Sequence, residues 1–331
     1  MQTITRTRVA RAVRPGGPDV IELSVVDLSP PGPGEALVRV EAVGLNHADT
    51  LIRSGDYAVT MPFPLDVGVE AAGTVVATGP EVVLPPGTRV AGTGWLGACA
   101  DFVTVPAERL VPVPSELDTE AAACVAHAAA AAGALTRVWP VAGRTAAVWG
   151  AAGAVGRLLV PLLTALGAEV VGIASGDRVA VPRALGAAHV VDRSAGRVAE
   201  DVRAATGGRG VDVVFDPVAS ATFRTSLAML APRGCLVNYG QLDGPISGAD
   251  FAELYRAGGV FVTKFNAGAY VSGYDDVRGL IAAGLDLAAT RPGVVSPVAG
   301  RFGLDEVAAA YRALEAGAPG KVLVLPTRGG R

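Results

Sequence analysis

The sequence predicts an α/β protein in which a barrel-like β-domain precedes a doubly wound parallel sheet. The first third of the chain carries short Val-rich segments bounded by Gly and Pro, such as 36–43 and 102–106, which are typical of barrel strands. Beyond Pro114, strand-like and helix-like segments alternate as in a βαβ series. Residues 145–149 and 211–215 are apolar without polar alternation, which indicates parallel strands covered on both faces.

Each element is predicted from its periodicity and from the turn and cap signals around it. The predicted strands are 36–43, 72–77, 89–91, 102–106, 145–149, 169–173, 189–191, 211–215, 235–239, 259–263 and 321–325, and the predicted helices are 119–135, 155–166, 178–185, 274–285 and 304–316. The final strand follows a sheet that is already complete, so we expect the tail to return to the first domain. The predicted domain limits are 1–117 for the β-domain, 118–256 for the parallel-sheet domain, and 257–331 for its last strand and the return.

Composition excludes several classes of protein. Half of the 331 residues are hydrophobic and 18% are charged, the reverse of a disordered chain. The net charge is −3 without a basic stripe, so no nucleic-acid partner is expected. Three widely spaced cysteines form no C-x-x-C pair, which argues against a disulfide framework and a thiolate zinc site. The N-terminal segment is polar and the apolar runs are short of the roughly 20 residues that span a bilayer, so we expect a soluble, cytoplasmic protein with no membrane partner.

The strongest motif is a glycine loop between a predicted strand and a predicted helix. Gly150, Gly153 and Gly156 have the spacing G-x-x-G-x-x-G. Glycines allow the backbone to approach a pyrophosphate, and the free N–H groups of the following helix attract its charge. The loop therefore predicts dinucleotide binding.

The end of the second strand indicates which dinucleotide binds. Enzymes that use NAD usually place an acid there for the ribose 2′-hydroxyl. Here the strand ends in small residues up to Ser175, and Asp177 lies beyond the strand end beside Arg178. Ser175 and Arg178 can bind a 2′-phosphate by charge-assisted hydrogen bonds. The pattern favours NADPH, with NADH as the open alternative.

An ordered set of motifs gives the chain a resemblance to a known family. The motifs are residues 43–50 (VGLNHADT), 53–57 (RSGDY), 68–73 (GVEAAG), 86–90 (PGTRV), 150–156, 210–216 (GVDVVFD) and 320–322 (GKV). Together they span essentially the whole chain. It resembles the medium-chain dehydrogenase/reductase superfamily and, within it, the zinc-free quinone oxidoreductases. The resemblance implies a GroES-like catalytic domain built from both chain ends, with a Rossmann domain between them and the nicotinamide in the interdomain cleft.

The resemblance also bears on metal binding. Zinc-dependent relatives place a Cys where this chain has Asn46 and a His where it has Val69, and neither residue is a zinc ligand. The four-cysteine zinc lobe has no counterpart between Arg89 and Asp101. No metal is therefore expected, and Glu70, which remains from the zinc motif, is expected to be a structural hydrogen-bonding residue.

Carried over by position, the resemblance implies a set of NADPH contacts. They are Asn46, Gly150, Ala152, Gly153, Ala154, Val155, Gly156, Ser175, Arg178, Arg193, Tyr239, Gly240, Gln241, Phe265, Asn266 and Lys321. Lys264 is expected to be a solvated charge. Family members often have a Tyr where this chain has Leu51, larger or polar residues at Ala130 and Ala132, and a Ser at Pro217. These departures suggest a more apolar pocket and leave room for a specialised substrate.

Hydride transfer to a conjugated carbonyl compound places negative charge on the carbonyl oxygen. Asn46 or Tyr57 is a candidate donor to this oxygen, and Tyr57 or water is a candidate proton source. Asn46 can instead hold backbone or the nicotinamide ribose, and Tyr57 can be a packing residue. His127 is a polar residue in an Ala-rich helix and is either structural or part of the active site.

Three functions stay open on the sequence. The first is an NADPH-dependent quinone or enone oxidoreductase. The second is an enoyl-thioester reductase of secondary metabolism. The third is a coenzyme-binding structural or regulatory protein without turnover. A homodimer is also predicted, formed if the strand at 259–263 pairs edge to edge across a two-fold axis.

Overall fold

The computed structural model describes residues 4–57 and 59–326. The chain forms two compact units, which we call the first unit (Met1–Ala130 with Tyr274–Arg331) and the second unit (Ala131–Gly273). Both ends of the chain thus belong to one unit. The boundaries between the two units differ from the predicted domain limits. Those limits stay predictions.

Strands and helices, joined by loops, recur throughout the described residues. The strands are β1 (Arg6–Ala12), β2 (Ile21–Asp27), β3 (Glu35–Leu45), β4 (Leu65–Asp66), β5 (Glu70–Thr78), β6 (Arg89–Thr93), β7 (Phe102–Pro106), β8 (Val111–Pro112), β9 (Thr145–Trp149), β10 (Glu169–Ala174), β11 (His189–Asp192), β12 (Val211–Asp216), β13 (Leu230–Asn238), β14 (Phe261–Lys264), β15 (Val298–Gly303) and β16 (Lys321–Leu325). The helices are α1 (His47–Ser54), α2 (Thr119–Leu135), α3 (Ala154–Ala165), α4 (Ala180–Ala184), α5 (Val198–Ala205), α6 (Phe223–Met229), α7 (Phe251–Arg256), α8 (Tyr274–Thr290) and α9 (Val307–Glu315). No described helix is long and apolar enough to cross a membrane.

The first unit is built on a mostly antiparallel sheet. Its strands follow the order β15-β16-β3-β5-β6-β8, and β7 also pairs with β3. β3 is long and apolar, and its buried side chains, such as Val38, Val40 and Leu45, form the core together with Trp95 and Tyr311. The C-terminal strand β16 lies antiparallel to β3, with Val322 opposite Leu45. This pairing brings the start of β16 next to the end of β3.

The second unit is built on a sheet in which every pair is parallel. Its order is β11-β10-β9-β12-β13-β14. This is the strand order of a dinucleotide-binding doubly wound fold, with β9 as the first strand and β14 at the edge. All five residues of β9 are buried, as expected for a strand covered on both faces. The predicted fold class is confirmed.

Element boundaries differ from the prediction where local signals were weak. The helix predicted at 178–185 is a 3₁₀ turn, Gly176–Val179, followed by α4. The strand predicted at 235–239 begins earlier, as β13, across an irregularity in its pairing. α1 was not predicted. It begins directly after Asn46, whose N–H donates to Asp49 Oδ2 at 2.8 Å.

Candidate functional site

The glycine loop lies between β9 and α3 and leaves a group of backbone donors unpaired. No described residue accepts from the N–H groups of Ala154, Val155 or Gly156, which point out of the first turn of α3. Gly150 has φ +62°, and a Cβ at Gly156 would lie 2.3 Å from the Gly150 carbonyl oxygen. The helix can pack this closely on the loop only with glycine at residue 156. The arrangement can bind an anion by backbone hydrogen bonds and by the helix dipole.

The residues predicted for the 2′-phosphate lie on the loops after β10 and β11. Ser175 follows β10 and is half-buried, while Arg178 and Arg193 are exposed. Asp192 connects the two loops, since its Oδ1 accepts from the N–H of Ser194 at 2.9 Å and of Gly176 at 3.4 Å. These hydrogen bonds hold the pKa of Asp192 below its ordinary value. The carboxylate is therefore a charged, fixed bridge between the loops.

One basic residue near the predicted 2′-phosphate site was not predicted. Arg157 lies in the first turn of α3, where its Nε donates to the Ala152 carbonyl at 3.0 Å. Partial burial lowers the pKa of Arg157, and the positive charge of Arg178 lowers it further. The two guanidinium groups are thus close enough to repel each other. The signal in the sequence was an arginine directly after the last loop glycine.

The loop of Tyr239, Gly240 and Gln241 follows β13, and it is held from two sides. The Tyr239 N–H donates to the Asp216 carbonyl at 2.9 Å, and Lys264 Nζ donates to the Gly240 carbonyl at 2.8 Å. Burial and the charge of Asp216 raise the pKa of Tyr239, so its phenol stays protonated. Lys264 Nζ also donates to Asn238 Oδ1 at 2.7 Å. Lys264 therefore clamps this loop while its side chain stays exposed to solvent.

Asp216, at the end of β12, supports the same edge of the sheet. Its Oδ2 accepts from Thr222 at 2.7 Å and Ser226 at 2.9 Å, and its Oδ1 accepts from the Val218 N–H at 2.8 Å. This buried carboxylate is satisfied by hydrogen bonds and fixes the loop after β12.

Phe265 and Asn266 follow the edge strand β14. The Phe265 N–H donates to the Asn238 carbonyl at 2.8 Å, and the Phe265 ring stacks on Tyr270 with centroids 5.7 Å apart. Asn266 caps the next turn by accepting from the Gly268 N–H at 3.2 Å. The predicted residues of the second unit thus follow β9, β10, β11, β13 and β14. They share the carboxyl edge of one sheet, which is where such folds bind ligands.

In the first unit, Asn46 and Lys321 belong to one buried polar cluster around Glu70. Lys321 Nζ donates to Glu70 Oε2 at 2.6 Å and to Asn46 Oδ1 at 2.7 Å. Asn46 Nδ2 donates to Glu70 Oε2 at 2.9 Å and to the Gly44 carbonyl at 3.0 Å. Both amide hydrogens of Asn46 are therefore used. Glu70 is the structural hydrogen-bonding residue that the resemblance implied.

Close packing makes this cluster possible. A Cβ at Gly44 would lie 2.0 Å from the Ala123 carbonyl of α2 and 2.7 Å from Lys321 Cε. Glycine at this residue therefore allows α2 and the lysine to reach the strand. Lys321 is 4% exposed, so its ammonium group is buried inside the first unit.

His127 is tied to the same cluster through its backbone. Its N–H, in the middle of α2, donates to Glu70 Oε1 at 2.7 Å, and its ring Nδ1 lies 2.9 Å from Thr93 Oγ1. Burial lowers the pKa of His127, and Lys321 lowers it further while Glu70 acts in the opposite direction. The imidazole is therefore neutral at neutral pH.

Tyr57, the second predicted catalytic residue, lies beyond α1 and is 41% exposed. Its N–H donates to the Leu51 carbonyl at 3.1 Å. The predicted catalytic roles of Tyr57 and Asn46 stay predictions. Asp49, one turn after Asn46, is buried, and burial raises its pKa to about 7.

Comparison with known proteins agrees with this arrangement. Residues 32–115 match the alcohol dehydrogenase GroES-like domain, and residues 154–282 match the domain described as zinc-binding dehydrogenase. The chain is 35% identical to a quinone oxidoreductase of Pseudomonas aeruginosa, over 94% of this chain and 97% of that protein. It is also 35% identical to a 2-haloacrylate reductase of Burkholderia sp., over 90% of this chain and 92% of that protein. The structure of Escherichia coli quinone oxidoreductase complexed with NADPH superposes with a TM-score of 0.86 at 28% identity, covering 97% of this chain and 100% of that one.

The fold, the glycine loop and these matches define an oxidoreductase of the medium-chain dehydrogenase/reductase superfamily. Within the superfamily, the chain belongs to the quinone oxidoreductase family.

Proposed function

We propose that this oxidoreductase uses NADPH to reduce a conjugated carbonyl compound, a quinone or an enone, without a catalytic metal. The observation that carries the proposal is the glycine loop with its unpaired N–H groups at Ala154, Val155 and Gly156. These donors and the N-terminus of α3 hold a diphosphate. The bound coenzyme supplies the hydride. The chain supplies binding, orientation and hydrogen bonds.

The two arginines near the end of β10 support NADPH over NADH. Arg157 and Arg178 repel each other in the free protein. A 2′-phosphate dianion bound between them removes this repulsion, whereas a 2′-hydroxyl does not. Solved structures of two relatives in complex with NADPH also support NADPH as the coenzyme.

The cluster around Glu70 supports a mechanism without metal. The Lys321 ammonium lies 2.7 Å from Asn46 and 2.6 Å from Glu70. A divalent cation at these oxygens would have to displace a buried positive charge. Cys124 is a poor ligand, because burial raises the pKa of its thiol to about 12. Among residues 4–57 and 59–326, no group of three or more His, Cys, Asp or Glu is placed to hold a metal ion.

The substrate class rests on the relatives. A quinone and a 2-haloacrylate both carry a C=C bond conjugated to a carbonyl carbon, and both names belong to relatives that are 35% identical to this chain. Hydride addition to such a system moves charge to oxygen, so a hydrogen-bond donor suffices to stabilise it.

A homodimer is supported by the free edge of the second unit. β14 is the last strand of its sheet, and its Phe261 and Val262 are 56% and 39% exposed. An exposed apolar edge strand is a template for pairing with a second copy. The cysteines Cys99, Cys124 and Cys235 are buried and unpaired, which favours a reducing compartment, and we place the protein in the cytoplasm.

A variant pair at Gly153 tests the diphosphate site. The residue precedes α3 with an ordinary φ of −84°, and an added Cβ would be 3.2 Å from its nearest neighbour. Gly153→Asp adds a negative charge at the helix N-terminus, where Asp also caps a helix, while Gly153→Asn has the same shape without the charge. We expect the Asp variant to bind NADPH at least tenfold more weakly than the Asn variant by fluorescence titration. Equal affinities would contradict the site.

A turnover assay tests the activity. NADPH oxidation is followed with a quinone, an enone and an enoyl thioester. Turnover of the quinone or the enone supports the proposal, turnover of the thioester alone favours a thioester reductase, and tight NADPH binding without turnover of any substrate favours a non-catalytic protein.

A further inference from the structure

The cluster around Glu70 contains a ring nitrogen that no predicted role uses. Several buried side-chain atoms, including Asp49 Oδ1 and Tyr311 Oη, lack a hydrogen-bond partner. His127 Nε2 is not one of these buried atoms. No described residue bonds to this nitrogen either. His127 Nε2 is therefore open at the surface of the cluster, while its backbone is fixed by Glu70 at 2.7 Å.

The other donors of the cluster are occupied. Asn46 has used both amide hydrogens, on Glu70 and Gly44. The Lys321 ammonium is buried on Glu70 and Asn46. Asn46 therefore cannot donate a hydrogen bond to a developing negative charge unless the cluster breaks. A donor to the substrate oxygen must come from another residue.

The contact with Thr93 bears on which nitrogen of His127 carries the hydrogen. Thr93 Oγ1 lies 2.9 Å from His127 Nδ1, a distance that fits donation in either direction. We assign the donation to the Thr93 hydroxyl, because within the described part of the chain it has no other acceptor. Donation by the hydroxyl makes Nδ1 an acceptor and leaves the hydrogen on Nε2. The ring is thus a neutral, oriented donor whose N–H points away from Thr93.

We propose that His127 is a catalytic residue whose Nε2–H binds the carbonyl oxygen of the substrate. The inference rests on the proposed function. Hydride from the coenzyme adds to the β-carbon of the enone. The C=C pair shifts to form a double bond between the α-carbon and the carbonyl carbon, the C=O π pair moves to oxygen, and this enolate oxygen accepts the Nε2–H hydrogen bond. Water then gives a proton to the α-carbon, which restores the carbonyl and releases hydroxide. Thr93 is a positioning residue, because it orients the ring without touching the substrate.

Two substitutions separate this role from packing. The amide of His127→Asn lies near the position of Nδ1 and loses the outer donor, whereas the longer His127→Gln places an amide near the position of Nε2. His189→Gln is the matched control, because His189 is a half-buried histidine of the second unit whose Nε2 lies 2.8 Å from Glu169. NADPH oxidation is measured with 2-cyclohexen-1-one, and the Kd for NADPH is measured separately.

We expect the Asn variant to lose about 10²-fold in kcat/KM, as when an oxyanion donor is removed, while the Gln variant keeps most of the activity. The Kd for NADPH should stay unchanged in both, and the control should match wild type. Equal losses in the Asn and Gln variants would indicate packing and overturn the proposal. An unchanged Asn variant, or a loss confined to Tyr57→Phe, would overturn it too.

A second readout needs neither coenzyme nor a substituted protein. The chain has three histidines, so the ring signals of His127 can be resolved by ¹⁵N NMR. We expect 4-nitrophenolate, a stable oxyanion, to shift the His127 Nε2 signal and leave that of His189 in place. No shift at saturation overturns the proposal even if the Asn variant fails to fold. Wild type that fails to bind NADPH would refute the proposed function, whereas an absent shift with normal NADPH binding refutes only the role of His127.

Discussion

Replacing Lys321 by Met is expected to destabilise the first unit, because it leaves the buried Glu70 carboxylate without its cation. Glu70 is 0% exposed and Lys321 4% exposed, and their charged atoms are 2.6 Å apart. Loss of one partner from a buried ion pair costs about 3–5 kcal/mol. Met has a similar length to Lys, so little of this cost comes from a cavity.

The melting temperature converts this cost into a measurable shift. The first unit has about 190 residues. An unfolding entropy of about 2.1 cal/mol/K per residue gives about 0.4 kcal/mol/K for the unit. The Lys321→Met variant should therefore melt about 8–12 °C below wild type in differential scanning calorimetry.

Two further variants test the reasoning. The double variant Lys321→Met with Glu70→Gln removes both charges, so it should recover most of the lost stability. Lys264→Met is the matched control, because Lys264 is the only other lysine and its side chain is exposed. Its melting temperature should fall by far less. A Lys321→Met variant that melts with wild type, or a double variant that falls as far as the single one, would refute the ion-pair account.

Three further predictions concern the coenzyme, pH and assembly. Arg157→Ala and Arg178→Ala should each weaken NADPH binding about tenfold or more and change NADH binding little, since one charge-assisted contact to the 2′-phosphate is worth about 1.5–3 kcal/mol; equal losses for both coenzymes in calorimetry would place the arginines elsewhere. Burial raises the pKa of Asp49 from 3.8 to about 7, so the folded state holds an extra proton between these values and the free energy of unfolding falls as pH rises through them. Asp49→Asn has no proton to lose and should flatten this part of the stability curve in urea unfolding; an unchanged slope would argue against a buried carboxyl. If the proposed dimer forms through β14, Phe261→Lys should convert it to a 33.3 kDa monomer in gel filtration with light scattering, whereas a monomeric wild type would refute the proposed dimer.

Much of the fold follows from local sequence signals. β7, β9 and β16 begin and end where the apolar runs predict, and α2 spans the predicted 119–135. The parallel sheet was predictable because its strands are buried on both faces and lack polar alternation. β1 and β2 were not predicted, since their arginine and glutamate residues break the apolar pattern on a sheet with an exposed face.

The candidate site was only partly predictable, because hydrogen bonds between distant residues leave no local pattern. Asn46 and Lys321 were both expected to contact the coenzyme, yet they are 275 positions apart and bond to each other. In that bond the Lys321 ammonium donates to Asn46 Oδ1, while the donors of Asn46 are used on Glu70 and Gly44. The sequence contains no sign of these bonds. The clamp formed by Lys264 and the partner of His127 are likewise set by the tertiary fold.

Calorimetric titration of NADPH into chelator-treated, metal-free protein tests the central claim most directly. The account predicts one coenzyme bound per chain and a Kd for NADPH at least tenfold below that for NADH, a difference of about 1.4 kcal/mol or more. Absence of heat with both coenzymes, or binding that appears only after zinc is restored, would contradict it.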